Sequence, residues 1–269
     1  MKGFLFMSNS LNEAKPILND ADGILCSALD IGQLILVSGG EISRVEDTIS
    51  RICKAYGARH TEIFCLTSYI TAAIRMPDGS YSNQSRRVKD SSNNMYRLEL
   101  VNALSREICQ KPLPLSEVQM RIKEIKKSDP YPKWVYIIAA MVGAGMYCLF
   151  FGGSLLDFLV CSVICGLVMT FSVFKPQSIG NSAYIFISSI FAGFLSHVSV
   201  LIGIGENIDK IMIGTIMILI PGLSFGNSLR DLICDDTLSG TMRLIQTLKL
   251  AIIIAVGYGI SILLMGGMI

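Results

Sequence analysis

The charge in this chain stops near its midpoint. Of the first 133 residues 33 are Asp, Glu, Lys or Arg, about the quarter usual for a soluble domain, whereas the remaining 136 hold only 11. Apolar runs in that second half cover 134–151, 155–174, 183–204, 211–229 and 248–268. Each comes close to the ~20 residues that a helix needs to cross hydrocarbon. The expected fold class is therefore an integral membrane α-helical protein. A cytoplasmic α+β N-terminal domain, residues 1–133, precedes a five-helix transmembrane domain, residues 134–269.

The basic residues set an expected orientation. Arg121, Lys123, Lys126, Lys127 and Lys133 precede the first span, and Pro130-Tyr131-Pro132-Lys133-Trp134 supplies a helix break and interfacial rings. Lys175, Arg230 and Arg243 fall in alternate joints on the same side, with Lys249 at a span end, and the opposite joints hold only Lys210. The positive-inside rule then puts the N-terminus in the cytoplasm and the C-terminus outside. Lys2 and Phe4–Met7 are too short a run for a signal-peptide core. A net charge of +2 gives no reason to expect nucleic acid as a partner. The 8 cysteines (26, 53, 65, 109, 148, 161, 165 and 234) show no metal-ligand spacing, so free thiols in a reducing compartment, no metal and no cofactor are expected. Cys161 and Cys165 read as small buried thiols within an apolar run.

The fourth span is interrupted. Ile211–Ile220 is followed by Pro221-Gly222, and then Ser224, Asn227 and Ser228 offer hydrogen-bonding groups. Proline removes a donor and clashes with the preceding turn, and freed carbonyls in lipid must find protein or a wet cavity. Such a break serves either as a packing kink or as a mid-depth substrate site. Arg230, Asp231, Asp235, Asp236 and Arg243 come next. They form either a solvated cytoplasmic loop or an inner gate where an arginine meets an anionic group and the carboxylates pair with it. His197, inside the third span, is either a proton-coupling group or an imidazole satisfied by Ser196 and Ser199. Asp157, near the outer end of the second span, reads as interfacial.

In the first half, apolar residues 24, 28, 31 and 35 mark a helix over Asp22–Val37. Ser38 and Glu41 have capping-box spacing before a second helix that ends near Gly57. On that helix Ile42, Val45, Ile49 and Ile52 make an apolar stripe, beside a polar stripe of Glu41, Arg44, Thr48 and Arg51, with Asp47 and Arg51 as a pair. Periodicity alone makes the polar stripe a solvated face. Strands are expected over Thr61–Thr67, Tyr69–Met76 and Tyr81–Val88, then helices over Asn94–Gln110 and Ser116–Lys127, the last with a Ser116/Gln119 box. No phosphate loop, nucleophile elbow or zinc-protease motif occurs, and the 2 histidines leave little for metal or acid–base chemistry. An enzyme is not expected.

Ser38-Gly39-Gly40-Glu41-Ile42-Ser43-Arg44-Val45-Glu46-Asp47-Thr48, with Gly57 following, resembles a signature of the threonine/serine exporter family. Pro221-Gly222, Asn227–Leu232, Asp236, Ser239-Gly240 and Arg243 resemble its second signature. The resemblance implies an exporter of a small polar metabolite, threonine/serine or a dicarboxylate such as succinate, gradient- or proton-coupled, in a bacterial cytoplasmic membrane. It also implies a second module, fused or carried by a separate small membrane subunit, as in a two-component succinate exporter. Since the chain stops after its fifth apolar run, it matches the large subunit of the split form, and a homo-oligomer is open. Glu41, Arg44, Glu46 and Thr48 become a functional cytoplasmic surface. Substrate-path candidates are Pro221, Gly222, Ser224, Asn227, Ser228, Arg230, Asp231, Asp236 and Arg243. The competing class is a membrane-anchored ligand-sensing subunit, which would gain nothing from a broken span.

Overall fold

The computed structural model describes residues 20–89, 92–128, 131–174 and 180–265. The sequence features at Lys2–Met7, Pro130, Lys175 and the last four residues lie outside them. The chain divides into two compact units, Met1–Ser128 and Asp129–Ile269.

In the first unit α1 (Asp20–Val37) is buried along most of its length and ends in a left-handed turn. The Gly39 N–H donates to Leu36 O at 3.2 Å and the Gly40 N–H to Ile35 O at 2.9 Å, with Gly39 at φ +94. That is a Schellman closure, and it needs a residue tolerant of positive φ. It corrects the expected capping box. Ser38 is consumed in closing α1 and is fully buried, while Glu41 sits at the N-cap of α2 (Ile42–Ala55) without a side-chain cap bond. The second expected box fails as well. Pro114 stands at the N-cap of α4 (Leu115–Lys127), its restricted φ starting the helix ahead of Ser116, which falls inside the first turn.

Between these helices, β1 (His60–Leu66), β2 (Tyr69–Arg75) and β3 (Tyr81–Arg87) form an antiparallel sheet in sequence order. Ala72 lies opposite Ile63 and Gln84. The inward residues of β2, Ile70, Ala72 and Ile74, join Leu25, Leu29, Ile35, Val45, Ile49 and Ile52 in one core. Each large side chain fully buried there contributes about 1.5–3 kcal/mol. Asn94 caps α3 (Met95–Gln110), accepting from the Arg97 N–H at 2.9 Å. Val101, Leu104 and Ile108 of α3 and Val118 and Ile122 of α4 complete the core.

The second unit is helical: α5 (Lys133–Phe150), α6 (Leu155–Phe174), α7 (Asn181–Leu201), α8 (Ile208–Leu219), α9 (Gly222–Ile233) and α10 (Thr237–Met265). Four of these are long and apolar enough to cross a membrane, and α8 with α9 makes a fifth crossing if the bent pair counts as one span. Close approach is bought by small residues. A Cβ on Gly193 would collide with Ser261, one on Gly257 would lie 2.6 Å from Ser189 Cβ, and one on Gly214 would lie 2.8 Å from the Ala144 carbonyl. One joint differs from expectation. Arg230–Thr247 is not a loop, because α9 continues to Ile233 and α10 resumes at Thr237.

Candidate functional site

The break in the fourth span has a defined backbone. The Ile220 N–H still reaches Ile216 O at 3.1 Å, but the Gly222 N–H turns back to Ile220 O at 2.8 Å across Pro221, whose φ and ψ are −78 and 59. Those angles are an inverse γ-turn. α9 then starts with the Phe225 N–H on Pro221 O at 3.0 Å, inclined 57° to α8. With 12 residues each, neither helix crosses hydrocarbon alone. α8 packs on α5, α6 and α7, whereas α9 packs chiefly on α10.

α9 is amphipathic in the sense opposite to a soluble helix. Its polar side is covered, with Ser228 at 0% exposure and Asp231 at 2%, while Leu223, Phe225, Leu229 and Ile233 face outward, Ile233 at 82%. Across from the polar side, α10 presents buried Ser239, Gly240 and Thr247 together with Arg243. A Cβ on Gly240 would stand 2.9 Å from the Leu232 nitrogen, so the two helices meet closely there. Within the seam Arg243 Nη1 lies 3.5 Å from Asp231 Oδ2, the side chains 12% and 1% exposed. The Ser228 hydroxyl donates to Phe225 O at 2.7 Å and the Thr247 hydroxyl to Arg243 O at 2.8 Å.

The turn between these helices is tight. Asp235 adopts φ 65, its N–H reaches Leu232 O at 3.3 Å, and the Asp236 N–H reaches Asp231 O at 2.9 Å. The Gly240 N–H on Asp236 O at 2.9 Å puts Asp236 at the start of α10. A solvated loop is thereby replaced by a helical hairpin that covers Asp231 and Arg243 in its seam, leaves Arg230 and Asp235 exposed, and turns Leu223, Phe225, Leu229 and Ile233 outward. Such a surface suits lipid or protein, not water. Of the remaining path candidates, Ser224 and Asn227 are half-buried, and Gly222 and Arg230 are exposed.

His197 is buried in α7, where Nδ1–H donates to Gly193 O at 2.9 Å. Ser196 and Ser199 do not satisfy it. Their hydroxyls donate to Ala192 O and Ser196 O, both at 2.8 Å. One sequence reading is corrected here and one feature went unread. Asp157 is not a solvated interfacial acid but is fully buried, accepting from the Ser154 N–H at 3.0 Å, the Glu206 N–H at 2.8 Å, the Asn207 N–H at 3.1 Å and Asn207 Nδ2 at 2.9 Å. It ties the start of α6 to the start of α8. The Thr215 and Tyr258 hydroxyls meet at 2.8 Å between α8 and α10.

On α2 the first signature does not form one polar stripe. Thr48 is 8% exposed because it lies three residues from Val45 and four from Ile52 on the core side. Glu46 Oε1 accepts the Cys65 N–H at 2.8 Å, occupying an outward amide of the edge strand β1. Glu41 is half-buried and Arg44 exposed, and the Asp47–Arg51 pair closes at 2.9 Å on the surface. Burial pushes the neighbouring Cys53 thiol up to about 12.

Neither a curated protein nor a solved structure matches the chain. The sequence pattern of the threonine/serine exporter family (ThrE) does, over residues 27–265, taking in both signature stretches and the six described helices α5–α10. The chain therefore belongs to the threonine/serine exporter family, a family of membrane transporters.

Proposed function

We propose that this chain exports a zwitterionic hydroxy amino acid, threonine or serine, along a path that passes the α8–α9 break and the seam between α9 and α10. The observation that carries this is the covered Asp231–Arg243 pair, 3.5 Å apart. An amino acid brings one ammonium and one carboxylate, and the pair offers one group of each sign. A dicarboxylate wants two cationic partners, and here Asp231 already opposes Arg243. Burying two charges costs more than a plain anchor would repay, so the pair also weighs against a purely ligand-sensing subunit. Pro221, Gly222, Ser224, Asn227 and Ser228 line the approach, while His197 packs within α7, bonded to Gly193 O, and stands outside the path.

The N-terminal unit faces the cytosol in this proposal, on the strength of the basic residues ahead of α5. A second, small membrane subunit of the same family completes the path. In support, the apolar stretches of α5 and α10 are mostly uncovered within this chain, whereas those of α6 and α7 are about half buried. Efflux of labelled threonine, serine and succinate from loaded vesicles, with and without that subunit, tests the proposal. Threonine and serine should leave, and faster with the partner present. No release of any solute would overturn it.

A further inference from the structure

We infer that Tyr258 is a positioning residue, whose hydroxyl ties α8 to α10 and so fixes the angle at which the two halves of the broken span meet. Its oxygen stands 2.8 Å from that of Thr215, and among the described residues theirs is the only hydrogen bond between α8 and α10. Both residues are buried, and Tyr258 lies in the apolar core with Ile211, Met212 and Ile254. Hydrogen counting sets the direction of the bond. The Thr215 hydroxyl also reaches Met212 O at 3.0 Å and Ile211 O at 3.2 Å in its own helix. Each hydroxyl carries one hydrogen. If Thr215 gave its hydrogen to Tyr258, the phenol hydrogen would face apolar neighbours with no acceptor. Tyr258 therefore donates to Thr215, and Thr215 donates to its own backbone.

The tie matters because of what else α10 holds. Nearer its start, Arg243 faces Asp231 and Gly240 meets Leu232, both on α9. From Arg243 to Tyr258 the helix rises about 22 Å. One continuous helix thus holds α9 near one end and α8 near the other, and the 57° bend lies between them. At that bend Pro221 has interrupted the helical hydrogen bonds, so rotation there meets the least resistance. α7 packs on both α8 and α10. Its contacts with α10 run through Gly193, Ser189 and Gly257, small residues that set a distance and leave sliding soft. A hydroxyl bond has a direction as well as a length. Gly193 also makes the reach possible, since a Cβ there would stand 3.2 Å from Tyr258 Cδ1.

The consequence for transport rests on the proposed path past the break, whereas the tie itself is read from a distance. Spin labels on the exposed Cys234, at the end of α9, and on Asp209→Cys, at the start of α8, span the bend. Cys26→Ser and Cys109→Ser remove the other accessible thiols. With Thr215 and Tyr258 intact, the protein in vesicles should give one narrow distance. Tyr258→Phe should shift or broaden that distance and slow labelled-threonine efflux severalfold. Thr215→Ser keeps the acceptor and should preserve both. Thr215→Val strands the phenol hydrogen and should be less stable than Tyr258→Phe. The double variant Thr215→Val/Tyr258→Phe strands nothing, so it should regain thermal stability yet keep the altered distance. If the unaltered protein releases no threonine, the export reading fails and the distances alone judge the tie. An unchanged distance in Tyr258→Phe, or one restored in the double variant, would overturn the inference.

Discussion

The two signature stretches each engage a carboxylate, Glu46 half-buried and Asp231 buried, but they give it different partners. On α2, Glu46 receives a neutral backbone N–H from β1 at 2.8 Å. On α9, Asp231 faces a guanidinium from α10 at 3.5 Å. The first carboxylate stands in for a missing neighbouring strand, a structural task that any acceptor of similar reach could perform. The second belongs to a covered pair whose two signs the proposed path would both use. It sits in a hairpin where Leu223, Leu229 and Ile233 leave no aqueous face on that side. Under the proposed export path, similar residues in one family pattern serve architecture in one place and recognition in another, and substitution separates them.

The largest expected effect is at the second stretch. Arg243→Leu strands Asp231 in a covered seam, which should cost about 3–5 kcal/mol and abolish threonine efflux. Adding Asp231→Leu should restore thermal stability in detergent without restoring efflux. Recovery of both would reduce the pair to packing. At the first stretch, Glu46→Ala leaves the Cys65 N–H without its acceptor and should cost about 1–3 kcal/mol. Glu46→Gln, whose amide oxygen can accept the same bond, should recover most of that loss, with efflux following stability alone. Efflux lost in Glu46→Gln at wild-type stability would move this residue to recognition.

Smaller effects sharpen the same contrast. Gly39→Ala forces a side chain into positive φ and against Asn93, and should lower stability by about 1 kcal/mol. His197→Gln should leave the pH dependence of efflux unchanged, and a shifted profile would restore a proton-carrying role. At pH 8 a soluble maleimide should label the exposed Cys234 and leave Cys53 untouched, since burial holds that thiol protonated to about 12. Labelling of Cys53 in folded protein would contradict the tight core beneath α2.

Much of this architecture was legible in the letters. Leu155–Phe174 is delimited by composition alone, and the Pro221-Gly222 pair marks the bend that the backbone takes. What misled was chemistry that serves two ends. Ser38 and Glu41 have the spacing of a capping box, yet Gly39-Gly40 favours a left-handed closure of the preceding helix, which consumes the serine first. Charges at Arg230, Asp231, Asp235, Asp236 and Arg243 suggested water. Helical periodicity across the turn, with apolar residues on the opposite side, would have shown a hairpin with its polar face inside. Asp157 carried a readable Ser154-to-Asp157 spacing before an apolar run. Its bonds to Glu206 and Asn207, some fifty residues away, depend on how α6 and α8 pack and leave no local trace.

The central claim is that Asp231 and Arg243 together recognise a zwitterion. The direct test is release from vesicles loaded with equal labelled threonine and succinate, comparing the unaltered protein with Asp231→Asn in the presence of the second subunit. The account predicts that the unaltered protein favours threonine and that Asp231→Asn loses threonine release by about ten- to a hundredfold, the worth of one charge-assisted contact, while succinate release rises. An unchanged ratio of the two solutes would contradict it.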